Sequence, residues 1–259
     1  MARPKSPPVL AGWYVISLRP SGSHAPVRRA AATLGARAFP VSTLRLEAVD
    51  AGVALSAALA CPRVVFTSPA AVRFARLHAP LQAQPGQRWV AVGSGTAAAL
   101  QRAGVDDVEL PPGRSDSEHL LALPALQDVA GLDVGLVTAP GGRGLIAETL
   151  AQRGARMHLA EVYRRVPVAP TATRLARLDQ FQERGALLVS SAEAFDGLWS
   201  RLPEPARARW RLRPVVASSP RLAASLAALG FTAIVLAEGA APSHLLQALA
   251  RDVAAGRFR

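Results

Sequence analysis

Five short turns in this chain bring small polar residues to the place where an apolar run gives way to a helical one. They are Thr67-Ser68, Gly93 to Thr96, Gly141-Gly142-Arg143, Ser190-Ser191 and Ser218-Ser219. A helix start leaves N–H groups without internal partners, and each such end favours an anion by roughly 0.3 to 1 kcal/mol. One such turn is most simply a helix N-cap. Five of them together suit a ligand that carries several carboxylates. The candidate contacts are Thr67, Ser68, Gly93, Thr96, Ser190, Ser191 and Ser218, with Arg19 and Arg143 adding positive charge. Tyr163 stands apart from these as one of only two tyrosines, next to Arg164. Its plain reading is a half-buried strand tyrosine; its chemical reading is a phenol able to donate a proton.

Other chemistries find little support. His24, His78, His119, His158 and His244 never fall at a metal-ligand spacing, and no Gly-x-Ser-x-Gly elbow is present. No serine has an evident His and acid partner, which speaks against a hydrolase triad. Gly93-Ser-Gly-Thr lacks the third glycine of a dinucleotide fingerprint. Cys61 is the only cysteine, so neither an internal disulfide nor a cysteine-cluster metal site can form. Lys5 is the only lysine and lies in a loose amino-terminal stretch, which argues against Schiff-base and Walker-type chemistry. Neither a metal nor a cofactor is expected.

The net charge of +12 raises the possibility of nucleic-acid binding. The positive charge is almost all arginine and is dispersed, and aromatic residues make up only 5% of the chain. That is too few for a base-stacking surface. A polyanionic small substrate accounts for the charge equally well. Apolar stretches last four to eight residues, far short of the roughly 20 that span a bilayer. The opening residues carry no apolar core of a secretory signal, so the expected location is cytoplasmic, with no membrane and no nucleic-acid partner.

The elements that would hold these turns read as repeated βα units. Trp13 to Leu18 is a buried strand, followed by a helical stretch to Leu34 and a second strand after Gly35. Val64-Val-Phe leads into a helix capped by Thr67-Ser68, and Val90-Ala-Val leads into the Gly93 turn. Short buried strands alternating with helices of about ten residues indicate an α/β fold with parallel sheets covered on both faces.

The chain also resembles itself at separations of about 120 to 126 residues. Leu34-Gly-Ala-Arg matches Arg153-Gly-Ala-Arg, and Val65-Phe-Thr-Ser matches Leu188-Val-Ser-Ser. Ala97 to Gly104 matches Ala223 to Gly230, and His119-Leu-Leu matches His244-Leu-Leu. The ordered series predicts two similar doubly wound domains. Pro40 to Val49 and Glu161 to Pro170 read as extended connectors, and two crossings suggest that one domain is inserted into the other.

Over about residues 12 to 252 these features resemble the uroporphyrinogen-III synthase family. Leu18-Arg19-Pro20 through Gly35 resembles its opening strand, Thr-Arg-Pro and helix. Val65-Phe-Thr-Ser-Pro-Ala-Ala-Val, Val92-Gly-x-x-Thr-Ala and Ser117-Glu-His-Leu-Leu are similar to three further motifs. Gly142-Arg143 to Gly154-Ala155, and Glu161-Val-Tyr163-Arg164, complete the series. Each motif is weak alone; their order and spacing are specific. The chain departs at Val137-Thr-Ala-Pro, where the family often has Leu-Arg-Gly, so any contact made by that arginine falls to other positions such as Arg143.

The resemblance implies two flavodoxin-like domains with parallel sheets joined by a two-stranded connector. Domain 1 would comprise residues 1–40 plus 170–259, and residues 41–169 would form the inserted domain 2 with the connector strands. It implies a cofactor-free, monomeric lyase of heme and siroheme biosynthesis acting on hydroxymethylbilane, in transient contact with the preceding pathway enzyme. In that reading Tyr163 assists departure of the substrate hydroxyl. The alternative is a two-lobed sensor that binds an anionic ligand and does no chemistry.

Overall fold

The computed structural model describes residues 8–113, 116–141 and 144–258. Among them are twelve strands and eleven α-helices, numbered here in chain order. The chain divides into two compact units: unit 1 is Met1–Arg45 with Val166–Arg259, and unit 2 is Leu46–Arg165.

Unit 1 holds β1 (Tyr14–Ser17), β2 (Arg37–Pro40), β10 (Gly185–Val189), β11 (Val215–Ala217) and β12 (Ile234–Leu236). They form one parallel sheet in the order β12-β11-β10-β1-β2. Its helices are α1 (Ala25–Thr33), α7 (Ala172–Asp179), α8 (Ala192–Trp199), α9 (Glu204–Arg211), α10 (Pro220–Ala228) and α11 (Pro242–Ala254). The apolar run of β10 is buried at all five positions because helices cover both faces of the sheet. Leu187 and Val189 pack with Ile16 and Val215 on one side. Ala186 and Leu188 pack with Val15 and Val216 on the other.

Unit 2 holds β4 (Arg63–Phe66), β5 (Arg88–Ala91), β6 (Val108–Glu109), β7 (Asp133–Thr138) and β8 (Arg156–Glu161). This sheet is also parallel, in the order β6-β5-β4-β7-β8. Its helices are α2 (Gly52–Leu59), α3 (Pro69–Ala75), α4 (Ser94–Gln101), α5 (Ser117–Leu121) and α6 (Leu145–Gln152). Val64, Phe66 and Trp89 face one core and Val65, Val90 and Leu136 the other. Helix α2 lies so close to β7 that a Cβ on Gly135 would fall 2.0 Å from the Ala58 carbonyl oxygen.

The two sheets are one design in two chain orders. Counted from its first strand, unit 1 runs 2-1-3-4-5, the order of flavodoxin-type sheets. Counted from β7, unit 2 runs in the same order. The chain is therefore a pair of strands and a triplet, followed by a second pair and a second triplet. Unit 1 combines the first pair with the last triplet, and unit 2 the middle two groups. The internal repeats fall on equivalent elements: residues 34–37 lead into β2 as 153–156 lead into β8, and residues 65–68 end β4 as 188–191 end β10.

After each pair the chain enters a connector strand, β3 (Leu44–Ala48) or β9 (Tyr163–Pro167), and these two form a sheet of their own. Val168 donates its N–H to Thr43 O at 2.9 Å, and Val49 donates to Val162 O at 3.2 Å. Residue numbers fall along one strand as they rise along the other, so the ribbon is antiparallel. Among the described residues no helix is long and apolar enough to cross a membrane.

Candidate functional site

The serine and threonine turns lie at the carboxyl ends of parallel strands, where doubly wound sheets bind ligands. In unit 2, β4 ends in Thr67-Ser68. The Ser68 hydroxyl caps α3 by accepting the Ala71 N–H at 3.0 Å. Thr67 does no capping; its hydroxyl donates to Thr138 Oγ1 at 2.9 Å, across to the end of β7. Gly93 occupies the N-cap of α4 and has no side chain to take up the N–H groups of the first turn. Thr96 is buried behind that turn, 2% exposed. A Cβ on Gly95 would lie 3.6 Å from Pro69 Cγ, so the first turns of α3 and α4 are neighbours.

Tyr163 joins this group. Its ring stacks on Phe74 of α3, with centroids 5.2 Å apart and planes 17° from parallel. Its hydroxyl lies 3.1 Å from Ser68 Oγ. Tyr163 is 5% exposed, so its phenol is held by stacking on one side and a hydrogen bond at the tip. The Ser68 oxygen already accepts an amide proton and still has its own proton to give. When it gives that proton to Tyr163, the phenolic proton is left free for a ligand.

In unit 1 the same pattern recurs. Ser191 caps α8 by accepting the Ala194 N–H at 3.2 Å, and Ser219 caps α10 by accepting the Leu222 N–H at 3.3 Å. The residue before each cap, Ser190 or Ser218, keeps an uncommitted hydroxyl among the described residues. Ser218 is 9% exposed, and its N–H is used by Val189 O at 3.0 Å. Arg19, just past β1, donates to the Ala240 carbonyl and so ties the loop before α11 to this strand end. Burial pushes the Arg19 guanidinium below its ordinary value. Arg143 and its neighbour Gly142 lie outside the described residues.

Sequence reasoning overlooked a buried relay in unit 1. His24 Nδ1 is 2.9 Å from Ser17 Oγ, and His24 Nε2 is 2.8 Å from Ser42 Oγ. Ser42 Oγ donates to the Arg19 carbonyl at 3.0 Å, so it must accept from His24. That sets the direction of the chain: Ser17 donates to Nδ1, and the Nε2 proton goes to Ser42. The proton of Ser42 ends on a carbonyl, so this is not a nucleophile and base. Burial, then the charges of Arg28, Arg174 and Arg19, bring the imidazole down to about 4. The three residues come from different elements, and no spacing betrays them. Phe74 and Thr138 were likewise unmarked, since an apolar helix residue and a strand-end threonine carry no motif.

Two doubly wound parallel sheets, a two-stranded ribbon, and hydroxyls and amides at the strand ends of each unit define a two-unit α/β protein. A sequence model of the family described as uroporphyrinogen-III synthase HemD matches residues 26–247. The chain belongs to that family, whose members are enzymes of tetrapyrrole biosynthesis. It is 37% identical over 188 residues to the uroporphyrinogen-III synthase of Salmonella typhimurium, covering 69% of this chain and 74% of that protein. It is 35% identical over 162 residues to that of Escherichia coli K12, covering 62% of this chain and 66% of that protein, just under two thirds. The fold is similar to a crystal structure of a mutant uroporphyrinogen III synthase from Thermus thermophilus, with TM-score 0.58 and 19% identity over 95% of this chain and 100% of that chain. It is also similar to uroporphyrinogen-III synthetase from Helicobacter pylori 26695, with TM-score 0.59 and 14% identity over 95% of this chain and 99% of that chain.

Proposed function

We propose that this chain, working in the cytoplasm, closes hydroxymethylbilane to uroporphyrinogen III. The substrate is a linear tetrapyrrole with eight carboxylates and a terminal hydroxymethyl group. Departure of that hydroxyl, which leaves as water after taking up a proton, gives an azafulvene cation. The cation adds to the substituted carbon of ring D and forms a spiro-pyrrolenine. Breaking the bond from that carbon to the neighbouring bridge and re-forming it at the free position inverts the ring. A proton lost from the final pyrrole carbon restores aromaticity, and the net change is loss of one water.

The uncatalysed cation closes at the free position instead, so the protein's main task is positioning. Free amides at the Gly93 turn and the hydroxyls of Ser190, Ser191 and Ser218 would hold carboxylates, with Arg19 and Arg143 adding charge. Thr67 would join them when its proton turns from Thr138 to the ligand, with Thr96 packed behind the turn. Tyr163, oriented by Ser68, would donate to the departing hydroxyl. The observation that carries the reading is the family match over residues 26–247. The Tyr163–Ser68 contact supports the role given to the phenol. Transient contact with the enzyme that makes the unstable substrate belongs to the same reading.

Consumption of freshly generated hydroxymethylbilane tests it. Catalysis predicts loss faster than spontaneous closure, in proportion to protein and over many turnovers. A protein that only bound the ligand would leave the rate unchanged or slow it.

A further inference from the structure

Unit 1 carries a basic pocket lined by none of the candidate contacts named above. It opens beside the first turn of α1 and holds about 360 Å³, within the roughly 300–1,000 Å³ usual for small-ligand sites. Arg28 of α1 and Arg174 of α7 line it together with Ser21, His24, Pro40 and Ser42. No carboxylate lines it, and among the described residues neither guanidinium has an ion-pair or hydrogen-bond partner. Behind them His24 and Ser42 are buried and hydrogen-bonded to each other, which makes a rigid, uncharged wall. Arg28, Arg174 and Arg19 all bear electrostatically on that imidazole, and two of them, Arg28 and Arg174, line the pocket itself. Such a site draws in an anion, and guanidinium forks match the oxygens of a carboxylate as they do those of a phosphate. The Ser42 bond to the Arg19 carbonyl joins the pocket to the carboxyl end of β1.

We propose that this pocket binds a carboxylate arm of the tetrapyrrole, held between Arg28 and Arg174; the assignment rests on the function proposed above. The test compares the Arg28→Gln/Arg174→Gln double variant with Arg29→Gln/Arg184→Gln, which removes the same charge outside the pocket. All four arginines are exposed, so both variants keep their fold. The probe is uroporphyrin, a stable tetrapyrrole with eight carboxylates, titrated by quenching of tryptophan fluorescence, with inorganic phosphate titrated separately. The pocket variant is expected to bind uroporphyrin about tenfold more weakly, corresponding to roughly 1.4 kcal/mol, and the control as tightly as wild type. KM for hydroxymethylbilane rises in parallel. Equal weakening in both double variants, or none in the pocket variant, overturns the assignment. So does phosphate binding that needs the two arginines while uroporphyrin binding does not, because the site would then serve a free small anion. If wild type binds uroporphyrin through these arginines yet fails to accelerate consumption of hydroxymethylbilane, the pocket stands and the proposed reaction falls.

Discussion

The Tyr163 hydroxyl lies 3.1 Å from Ser68 Oγ, although 95 residues of chain separate them. Ser68 ends the first strand of unit 2 and caps α3, and Tyr163 follows the last strand of that unit. One hydroxyl thus serves as both a helix cap and the partner of the phenol. Tyr163→Phe keeps the ring and its stacking on Phe74 but removes the proton donor. The expected result is a fall in kcat of roughly a hundredfold, the low end for a lost general acid. Stability should change by only about 1 kcal/mol, the worth of one hydrogen bond. Stopped assays of hydroxymethylbilane loss, with thermal unfolding alongside, measure both, and a variant with wild-type kcat would remove Tyr163 from the chemistry.

In the proposed reaction Ser68 acts through Tyr163, whose hydroxyl it contacts. Ser68→Ala loses a cap, worth about 1 kcal/mol, and also frees the phenol to turn. Asp116→Ala loses a comparable cap, that of α5, far along the chain from Tyr163. Both variants should unfold at lower temperature, and only Ser68→Ala should lose kcat, by about tenfold. Restoration by Ser68→Thr, which keeps the hydroxyl, separates orientation from mere stability.

His24 predicts a particular pH dependence. Its folded value of about 4 lies below the unfolded 6.5, because burial and then Arg28, Arg174 and Arg19 oppose its charging. The unfolded chain therefore takes up the proton first as pH falls. The stability this group contributes is complete above about pH 6.5 and is lost progressively down to about pH 4, up to about 3 kcal/mol in all. In His24→Asn, which does not titrate, the difference in unfolding free energy between pH 7 and pH 5 should shrink. An unchanged difference would mean that His24 charges within the fold.

Cys61 should be inert in the native state. It is 3% exposed, and burial, then the charge of Asp133, push its thiol up to about 11. About one molecule in a thousand would be thiolate at pH 8. Ellman's reagent should find no reactive thiol until denaturant is added, and then one per chain. Rapid reaction without denaturant would show that α2 and its flanking loop open readily.

Gly135→Ala tests the packing of unit 2. The added methyl would sit 2.0 Å from the Ala58 carbonyl oxygen, and a backbone cannot yield as a flexible side chain does. The cost should reach about 3 kcal/mol or more, visible as a large drop in melting temperature. A stable variant would mean that α2 is free to shift off β7.

Much of the fold was legible because strand and helix periods are local. The run Gly185 to Val189 is apolar at every position apart from its glycine, as a strand covered on both faces must be. The repeats at 34–37 and 153–156 mark equivalent turns, although the permuted strand order of unit 2 emerges only from pairing. The capping serines were legible for the same local reason: Ser68, Ser191 and Ser219 each accept an N–H three residues on. What escaped notice depends on distant contacts. Ser17, His24 and Ser42 meet only after β1 and β2 pair and α1 folds between them. Phe74 gains its role solely from the ring of Tyr163 that lies against it.

Product analysis decides the matter. Freshly generated hydroxymethylbilane, turned over with a small amount of protein and then oxidised, yields porphyrin isomers that chromatography separates. Groups that hold the carboxylates and steer the cation onto the substituted carbon of ring D predict predominantly isomer III. Isomer I alone, from folded protein, would contradict them.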